Sequence, residues 1–413
     1  MIKKKRNKNL EKRLQIWLLG AVSVFALMFG SGSFLKEKLF YTTQLSTDSL
    51  QNLKDLNDKY DFSVDKKLVG GDANLVAELS TANVLESSTE DYKGLIVSMD
   101  ESLTKGGLIL LKPGHEIPVS ALEDIADEYM SLIPEFESVE VDQDVQFEGY
   151  AVYGIDYEKS SPAPAPKVAV QLSSEVDLSP VKIAVIDSGI DTAHDVFKNI
   201  TLETGWNTID NNATMYDDVG HGTHMAGIIA LNAPNSIIIP YKIAGAKGGE
   251  LSNVLTAYQM AIDNGALVIN SSFGVVNDSY SLKKLVKKAQ KKGIVIVAAA
   301  GNNSAEGPFY PAEYSESIAI ASVDLLGQKM PKSNYGYWID LASLGDKVSS
   351  AVPGNTYAYK SGTSPATAYV SAKIGVLLGS SGQMTSKKIV TYLQSSASSK
   401  ISTGVLAGVS IVK

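Results

Sequence analysis

Short apolar runs recur along the C-terminal part of the chain, and each is bounded by polar residues. They are rich in Val, Ile and Ala and lack the strict alternation of a half-exposed strand, so they predict strands that are buried on both faces. Four such runs lie at 181–187 (VKIAVID), 266–272 (ALVINSS), 294–302 (IVIVAAAGN) and 317–324 (SIAIASVD).

Between these runs lie segments with the period of an amphipathic helix, at 252–265 and 279–293. Ser252 is placed to cap the first helix, and a glycine ends each of them, Gly265 and Gly293. Strands that alternate with helices predict an α/β domain, with a parallel twisted sheet and helices on both faces. In such sheets ligands bind beyond the carboxyl ends of the strands.

The helix predicted at 279–293 carries six lysines on one side and an apolar stripe on the other. The lysines are Lys283, Lys284, Lys287, Lys288, Lys291 and Lys292. This pattern is typical of a solvated outer face above a buried one. A basic docking face for a partner or for anionic lipid is the alternative.

The part of the chain before these segments has a different pattern. We predict strands at 40–45, 92–99 and 136–141 and amphipathic helices at 46–60 and 118–133. Residues 36–150 therefore form a small α+β domain. A Pro- and Ala-rich linker follows at 151–168, where EKSSPAPAPK favours an extended and protease-sensitive segment, and 169–413 form the α/β domain.

The N-terminus combines a basic flank with an apolar run. Residues 1–38 hold nine Lys or Arg and two acids, and the run from Ile16 extends to Leu35 with small residues near its end. We predict that residues 1–35 are a secretion signal or a retained membrane anchor. The protein would then be secreted, or tethered through Ile16–Leu35 to the outer face of a bacterial cell membrane.

Composition narrows the possible chemistry. The 413 residues include no cysteine, which excludes disulfides, thiolate metal sites and cysteine nucleophiles. The net charge is −8, and outside the basic first 38 residues the chain carries 28 basic and 43 acidic residues. An acidic body argues against nucleic acid as a partner.

Four polar residues lie at predicted strand ends or helix starts. Asp187 ends the strand of VIDSGID, His221 lies between two glycines in GHGTHMAG, Asn302 follows the strand of AAAGN, and Ser364 opens a helix in SGTSPA. A serine hydroxyl becomes a nucleophile when histidine removes its proton, and a carboxylate orients that histidine. Asn302 and the Ser364 N–H would stabilise the oxyanion.

Each of these motifs has another interpretation when it is taken alone. Ser364 could be a helix N-cap, and VIDSG could be a turn or an aspartyl phosphate site. His221 and His224 could bind a metal ion, although no third ligand is evident nearby. His224 and His194 are more typical of structural histidines.

The order Asp, His, Ser resembles that of the subtilisin-like serine proteases. Five motifs carry the resemblance: VIDSGID, GHGTHMAG, VINSSFG, AAAGN and VPGNTYAYKSGTSPATAYVSA. It implies that Asp187, His221 and Ser364 form a catalytic triad, and that the Asn302 amide is the side-chain oxyanion donor.

The resemblance also implies where substrate binds. The family binds its substrate as an added strand between two edges, here Gly248 and Gly249 on one side and Ser272, Phe273 and Gly274 on the other. Three further residues would wall the first specificity pocket: Ala299, Ala300 and Gly301. Catalysis would need no cofactor and no metal. Structural calcium is common in the family, but the sequence shows no clear ligand set for it.

Residues 36–150 occupy the place of the family's propeptide, which assists folding and blocks the cleft. We therefore expect a zymogen with its own propeptide as inhibitor, and self-processing between residues 80 and 168.

The family usually shows Thr-Pro-His-Val where this chain has Thr367, Ala368, Tyr369 and Val370. The motif ends in VSA, which begins at Val370 and resembles proteases that remove leader peptides from lanthipeptide bacteriocins.

Three function classes follow from this reasoning. The first is a serine endopeptidase that matures a peptide or protein precursor. The second is a catalytically silent protein that binds peptides on a protease fold, and the third is a metal-dependent hydrolase.

Overall fold

The computed structural model describes residues 45–65, 92–99, 108–146, 178–397 and 399–413. The predicted signal or anchor at 1–35 and the linker at 151–168 lie outside the described residues. So does the predicted strand at 40–45, except for Leu45, which is not in a strand.

None of the helices in the described part of the chain is both long enough and apolar enough to cross a membrane.

The N-terminal unit, residues 45–146, is an antiparallel sheet with two helices. The strands pair in the order β1-β3-β2-β4. The elements are α1 (Thr47–Tyr60), β1 (Phe62–Asp65), β2 (Leu95–Met99), β3 (Leu108–Pro113), α2 (Val119–Leu132) and β4 (Phe136–Val141).

The two central strands of this sheet, β2 and β3, are apolar on both faces. Leu95 and Val97 of β2 pack in a core with α1 and α2, whereas Ile96 belongs to a cluster built mainly from helices of the C-terminal domain. Alternate residues of a strand point to opposite faces, so β2 buries one face in each core. This explains why all five residues of β2 are buried.

The C-terminal domain is built on a sheet of ten strands. Nine lie in the order β17-β18-β14-β13-β12-β11-β5-β8-β6, and β7 pairs beside β6 on β8. All neighbours are parallel except β17 and β18. The strands are β5 (Val181–Asp187), β6 (Thr201–Leu202), β7 (Trp206–Asn207), β8 (Ser236–Lys242), β11 (Val268–Ser271), β12 (Val295–Ala299), β13 (Ser317–Val323), β14 (Leu341–Leu344), β17 (Ser399–Lys400) and β18 (Ser410–Val412).

Two short hairpins and five helices complete this domain. The hairpin strands are β9 (Ala244–Gly245), β10 (Gly248–Gly249), β15 (Val348–Val352) and β16 (Thr356–Lys360). The helices are α3 (Gly222–Asn232), α4 (Leu251–Asp263), α5 (Tyr280–Lys291), α6 (Thr363–Ser381) and α7 (Ser386–Ser396).

Helices cover both faces of the large sheet. Ile183 and Val185 of β5 pack with α3, α6 and α7, while Ala184 and Ile186 pack with α4 and α5. The predicted α/β class, with a parallel sheet between two helical layers, is confirmed.

The prediction that Ser252 caps its helix is wrong. Helix α4 begins at Leu251, and its N-cap residue Glu250 makes no side-chain cap. The Ser252 N–H instead donates to the Asp142 carboxylate at 3.0 Å, from the N-terminal unit. Helix α5 is engaged by the same unit, since the Ser281 N–H donates to Glu140 at 2.9 Å.

The lysine-rich helix therefore has two different faces. Lys284 donates to the Met99 carbonyl at 2.6 Å and to Glu137 at 3.0 Å, both in the N-terminal unit, while Lys287 is exposed. A solvated outer face describes the exposed Lys287, Lys291 and Lys292. It does not describe Lys284, which binds the N-terminal unit of the same chain.

Candidate active site

Asp187 and His221 form a buried pair at one end of the sheet. Asp187 is the last residue of β5, and His221 is the N-cap residue of α3. Their Oδ1 and Nδ1 atoms are 2.7 Å apart, and the side chains are 1% and 3% exposed. Because a carboxylate only accepts hydrogen bonds, Nδ1 is the donor and Nε2 is left as the basic nitrogen of the ring.

The electrostatic surroundings favour the charged form of His221. Burial lowers the pKa of the imidazole, but the charge of Asp187, its hydrogen bond and the charge of Asp217 together outweigh burial, so the pKa lies above its usual value. The site is therefore suited to an imidazole that takes up a proton.

Ser364 lies in the first turn of α6 and is not its N-cap. Gly362 is the N-cap residue, with φ at +143°, so the helix-cap interpretation of Ser364 is wrong. The Ser364 hydroxyl donates to the Ser272 carbonyl at 3.2 Å, and the Ser272 hydroxyl donates to the Ser364 carbonyl at 3.2 Å. These two bonds hold the start of α6 against the residue that follows β11.

The strand register brings Ser364 to the end of the sheet where Asp187 lies. Ile186 of β5 pairs with Ser271 of β11, so Asp187 and Ser272 leave neighbouring parallel strands at the same edge. Neighbouring strands are about 4.8 Å apart. Since Ser272 contacts Ser364, the carboxylate, the imidazole and the hydroxyl all lie at this edge.

Asn302 is tied to the same turn as Ser364. Its Oδ1 accepts the Thr363 N–H at 2.8 Å, and the Gly301 N–H donates to the Thr363 hydroxyl at 3.1 Å. The first bond fixes the amide orientation and makes Nδ2 the donor end. A Cβ added to Gly362 would lie 3.0 Å from Nδ2, so the glycine makes room for this amide.

The two edges that the family resemblance predicted hold an extended segment of the chain itself. The Val145 N–H donates to the Gly249 carbonyl at 2.8 Å, and Gln146 exchanges two hydrogen bonds with Gly274, at 2.7 and 2.9 Å. Residues of the N-terminal unit thus lie between β10 and the segment 272–274 as an added antiparallel strand. This groove can bind a peptide through backbone hydrogen bonds.

The other residues of the predicted substrate site are mostly buried. Phe273 packs in the core beneath the groove, and Ala299 and Ala300 lie at the end of β12 and just beyond it, next to Gly301. Gly248 is exposed in β10. That Ala299, Ala300 and Gly301 form the first specificity pocket stays a prediction.

His224 and His194 are structural. The His224 Nε2 lies 3.1 Å from the carbonyls of both Val348 and Ala358, and burial lowers the pKa of this ring to about 3. The His194 Nε2 lies 2.9 Å from the Thr356 carbonyl. Across the described ranges no group of three or more His, Asp or Glu is placed to hold a metal ion, and His224 is committed to backbone carbonyls.

One polar group at the site was not identified from the sequence. Asp217 is buried between β5 and α3 and contacts both Ser188 and Thr223. Its place in the sequence could have indicated it, because Asp217 comes four residues before His221, the histidine between two glycines.

Comparisons with known proteins agree with this geometry. A model of the subtilase family matches residues 179–409. A thermophilic serine proteinase from Bacillus sp. (strain AK1) is 39% identical over 213 residues, which is 49% of this chain and 53% of that protein. Thermitase from Thermoactinomyces vulgaris is 38% identical over 219 residues, 50% of this chain and 78% of thermitase. The chain thus spans about half the length of the first of these relatives.

Two solved structures are similar as well. The crystal structure of a lanthipeptide protease has 25% identity and a TM-score of 0.53, and covers 56% of this chain and 85% of its own. The crystal structure of a cold adapted subtilisin-like serine proteinase has 27% identity and a TM-score of 0.54, and the match covers 58% of this chain and 90% of that proteinase chain. With a family match over more than half of its length and with the fold and site geometry described above, this chain belongs to the subtilase family.

Proposed function

We propose that the protein is a serine endopeptidase that cleaves peptide bonds through an acyl intermediate on Ser364. The observation that carries this proposal is the buried Asp187–His221 pair at 2.7 Å, at the sheet edge where Ser364 opens α6. The family membership supports the same reaction.

The proposed reaction assigns a role to each group of the site. The Ser364 Oγ attacks the scissile carbonyl carbon while its proton passes to Nε2 of His221, and Asp187 stabilises the imidazolium. The oxyanion accepts hydrogen bonds from the Asn302 Nδ2 and from the Ser364 N–H, which lies in the first turn of a helix. His221 then gives its proton to the leaving amine, and a water molecule releases the acyl group by the same steps in reverse.

Hydrolysis of a peptide library by processed protein tests this proposal. Ser364→Ala should lower kcat by roughly a million-fold, the loss seen in subtilisin itself when the serine of its triad is removed. Activity that survives in Ser364→Ala but is lost in EDTA would favour a metal-dependent hydrolase. Peptide binding without turnover, the same in both proteins, would favour a silent peptide-binding protein.

We also propose that the protein is made as a zymogen, with the N-terminal unit as its inhibitor. Residues 143–146 occupy the groove through the hydrogen bonds to Gly249 and Gly274 and through the Leu251 N–H, which donates to the Gln143 carbonyl at 2.8 Å. A substrate that needs the same edges cannot bind while they are paired, so activity requires release of this segment.

The pairing register suggests which bond is cut. A substrate peptide can pair with the groove in the same antiparallel register as Gln146 with Gly274. The residue two positions later in that peptide then lies opposite Ser272. Ser272 is in contact with the proposed nucleophile, because its carbonyl accepts the Ser364 hydroxyl. In the chain's own sequence the residue two positions after Gln146 is Glu148. N-terminal sequencing should therefore find a product that begins at Gly149 in wild type and not in Ser364→Ala. Identical cutting of both proteins without added protease would contradict self-processing.

The biological role that we favour is the maturation of a peptide precursor outside the cell, by a secreted or membrane-tethered protease. The similarity to a lanthipeptide protease and the VSA sequence that begins at Val370 support a leader peptide as the substrate. Incubation of the processed protein with a lanthipeptide precursor should release its leader by a single cut. Degradation of leader and core alike would instead indicate a protease of broad specificity.

A further inference from the structure

A buried carboxylate outside the predicted triad lies behind the Asp187–His221 pair. Asp217 precedes α3, and both of its oxygens accept hydrogen bonds. Oδ1 accepts from the Ser188 hydroxyl at 2.8 Å, the Val219 N–H at 3.2 Å and the Gly220 N–H at 2.7 Å. Oδ2 accepts from the N–H of Thr223 at 2.8 Å and from its hydroxyl at 2.6 Å.

These bonds fix the backbone on both sides of His221. Gly220 is bound directly by Asp217, and the Gly222 N–H donates to the Ser188 hydroxyl at 2.9 Å, which itself donates to Asp217. The fit is close, since a Cβ on Gly222 would lie 2.0 Å from the Gly189 carbonyl oxygen. The main chain that carries the imidazole therefore has little freedom to shift.

The same cluster also reaches the catalytic carboxylate. The Ser188 N–H donates at 2.8 Å to Oδ1 of Asp187, the oxygen that contacts His221. Ser188 thus links Asp217 to Asp187 through its side chain and its backbone. A change at Asp217 would disturb the orientation of both members of the pair.

Asp217 acts on His221 by charge as well as by geometry. Three charged or titratable groups of the described residues that interact with the imidazole are Asp187 at the end of β5, Asp217 before α3 and His224 in the first turn of α3. Burial lowers the pKa of His221, and the charges of Asp187 and Asp217 raise it. His224 stays neutral near pH 7 because burial lowers its pKa to about 3.

We propose that Asp217 is a positioning residue for His221, which holds the backbone around the imidazole and stabilises the charge that the ring gains when it accepts the Ser364 proton. This inference rests on the proposed serine endopeptidase function, because it assigns a role within that reaction. It extends the predicted triad by a second buried carboxylate that never touches the substrate.

The test compares the buried Asp217 with Asp340, which is half-buried. Asp340 accepts the Ala319 N–H at 2.9 Å, and burial raises its pKa as it does that of Asp217, but it precedes β14 at the opposite end of the sheet. Asp217→Asn and Asp340→Asn should both lower the unfolding temperature. Only Asp217→Asn should change the titration of His221.

The titration is measured by NMR in the full chain with Ser364→Ala, where only four histidines contribute signals. Asp217→Asn should lower the His221 midpoint by roughly half a pH unit or more, because a negative charge near the ring is lost. Asp340→Asn should leave the midpoint unchanged. An unchanged midpoint in Asp217→Asn would overturn the proposal, and this readout does not depend on whether the protein is a protease.

A kinetic readout applies to the processed enzyme with Ser364 intact. The acid limb of kcat/KM should move to lower pH in Asp217→Asn, with a fall in kcat and little change in KM. Should Asp217→Asn fail to fold, Ser188→Ala decides, because it breaks the link to Gly222 and keeps the charge. It should lower kcat about tenfold, and an unchanged kcat would overturn the positioning role. Wild-type protein that hydrolyses no peptide would instead contradict the proposed function.

Discussion

At the scale of single residues, the sequence predicted the chemical groups of the site but not their supports. Asp187, His221, Asn302 and Ser364 could be proposed because each lies at the end of a buried strand or at the start of a helix, within a distinctive motif. Asp217 could not, because its five hydrogen bonds depend on a turn whose geometry the local pattern does not reveal. Supports of this kind become visible only when strand ends and helix starts are placed in space.

One prediction at this scale concerns Asn302. Its replacement by Ala should lower kcat by roughly 100- to 1,000-fold with little change in KM, the loss known for the equivalent donor of subtilisin. The reason is that the amide would bind the oxyanion more strongly than the ground-state carbonyl. Steady-state kinetics of the processed enzyme measure this.

Asn303→Ala is the matched control for Asn302→Ala, because the Asn303 side chain is exposed one position further along the same turn. It should leave kcat within about threefold of wild type. A loss below tenfold in Asn302→Ala would show that Asn302 is not an important oxyanion donor.

At the scale of elements, strands with an uninterrupted apolar run or an alternating run were the easiest to predict. The bounds of β5 and β4 agree with the predicted segments, because uninterrupted apolar or alternating runs leave few alternatives. Strand β8 was missed because Pro240 lies inside it, and proline usually argues against a central strand. On this side of β8, β6 pairs with Ile237 and Ile238, and β7 pairs with Tyr241 and Lys242. Pro240 lies between these two paired stretches, so the sheet tolerates it there.

The predicted cap of α4 was wrong because a distant part of the chain supplies the contact at the start of this helix. Its donor, the Ser252 N–H, finds an acceptor in Asp142, 110 residues earlier in the chain. A sequence window cannot show a cap that comes from another unit. The N-terminal unit also explains part of the high lysine content of α5, because Lys284 binds Glu137 of that unit.

Helix α5 therefore offers a matched pair of lysines. Lys284→Ala removes the hydrogen bonds to Met99 and Glu137 and should weaken the contact between the N-terminal unit and α5 by about 1–2 kcal/mol, because these bonds carry a charge and are partly buried. Lys287→Ala removes an exposed charge of the same helix and should have little effect.

Hydrogen exchange of the full chain with Ser364→Ala measures this difference. Amides of β4 and the first turn of α5 should exchange faster in Lys284→Ala than in Lys287→Ala. Equal exchange in both variants would show that the contact through Lys284 adds nothing to docking.

At the scale of the whole molecule, two cores share one sheet of the N-terminal unit. One face of β2 packs on the unit's own helices and the other joins the cluster of α4 and α5. The segment that follows β4 then continues into the groove. The sequence predicted a separate domain and its inhibitory role from a family resemblance, whereas the continuous packing could be seen only in the structure.

A buried carboxyl group, Asp142, lies where the N-terminal unit contacts α4 and should make the free energy of unfolding depend on pH. Burial above all, and then the nearby Glu250 carboxylate, raise the pKa of Asp142 to about 7, although Lys112 and the bond from Ser252 act in the opposite direction. The unfolded value is about 3.9. The stabilising contribution of the protonated carboxyl is therefore complete below about pH 4 and is lost as the pH rises to about 7.

Urea unfolding of the full chain with Ser364→Ala, at pH 5 and pH 8, measures this effect. The free energy of unfolding should fall more between these values in the parent than in Asp142→Asn, which cannot ionise. Asp124→Asn, at an exposed position of α2, should behave as the parent does. Parallel changes in all three proteins would mean that Asp142 does not titrate in this range.

The central claim is that Asp187, His221 and Ser364 act together at one edge of the sheet. The most direct measurement is the reaction of the folded, processed protein with a fluorophosphonate, followed by mass spectrometry of the labelled peptide. We expect one modified residue, Ser364, and a loss of labelling in His221→Ala. Processed protein that is folded but not labelled at Ser364, or labelling that persists unchanged in His221→Ala, would contradict the account.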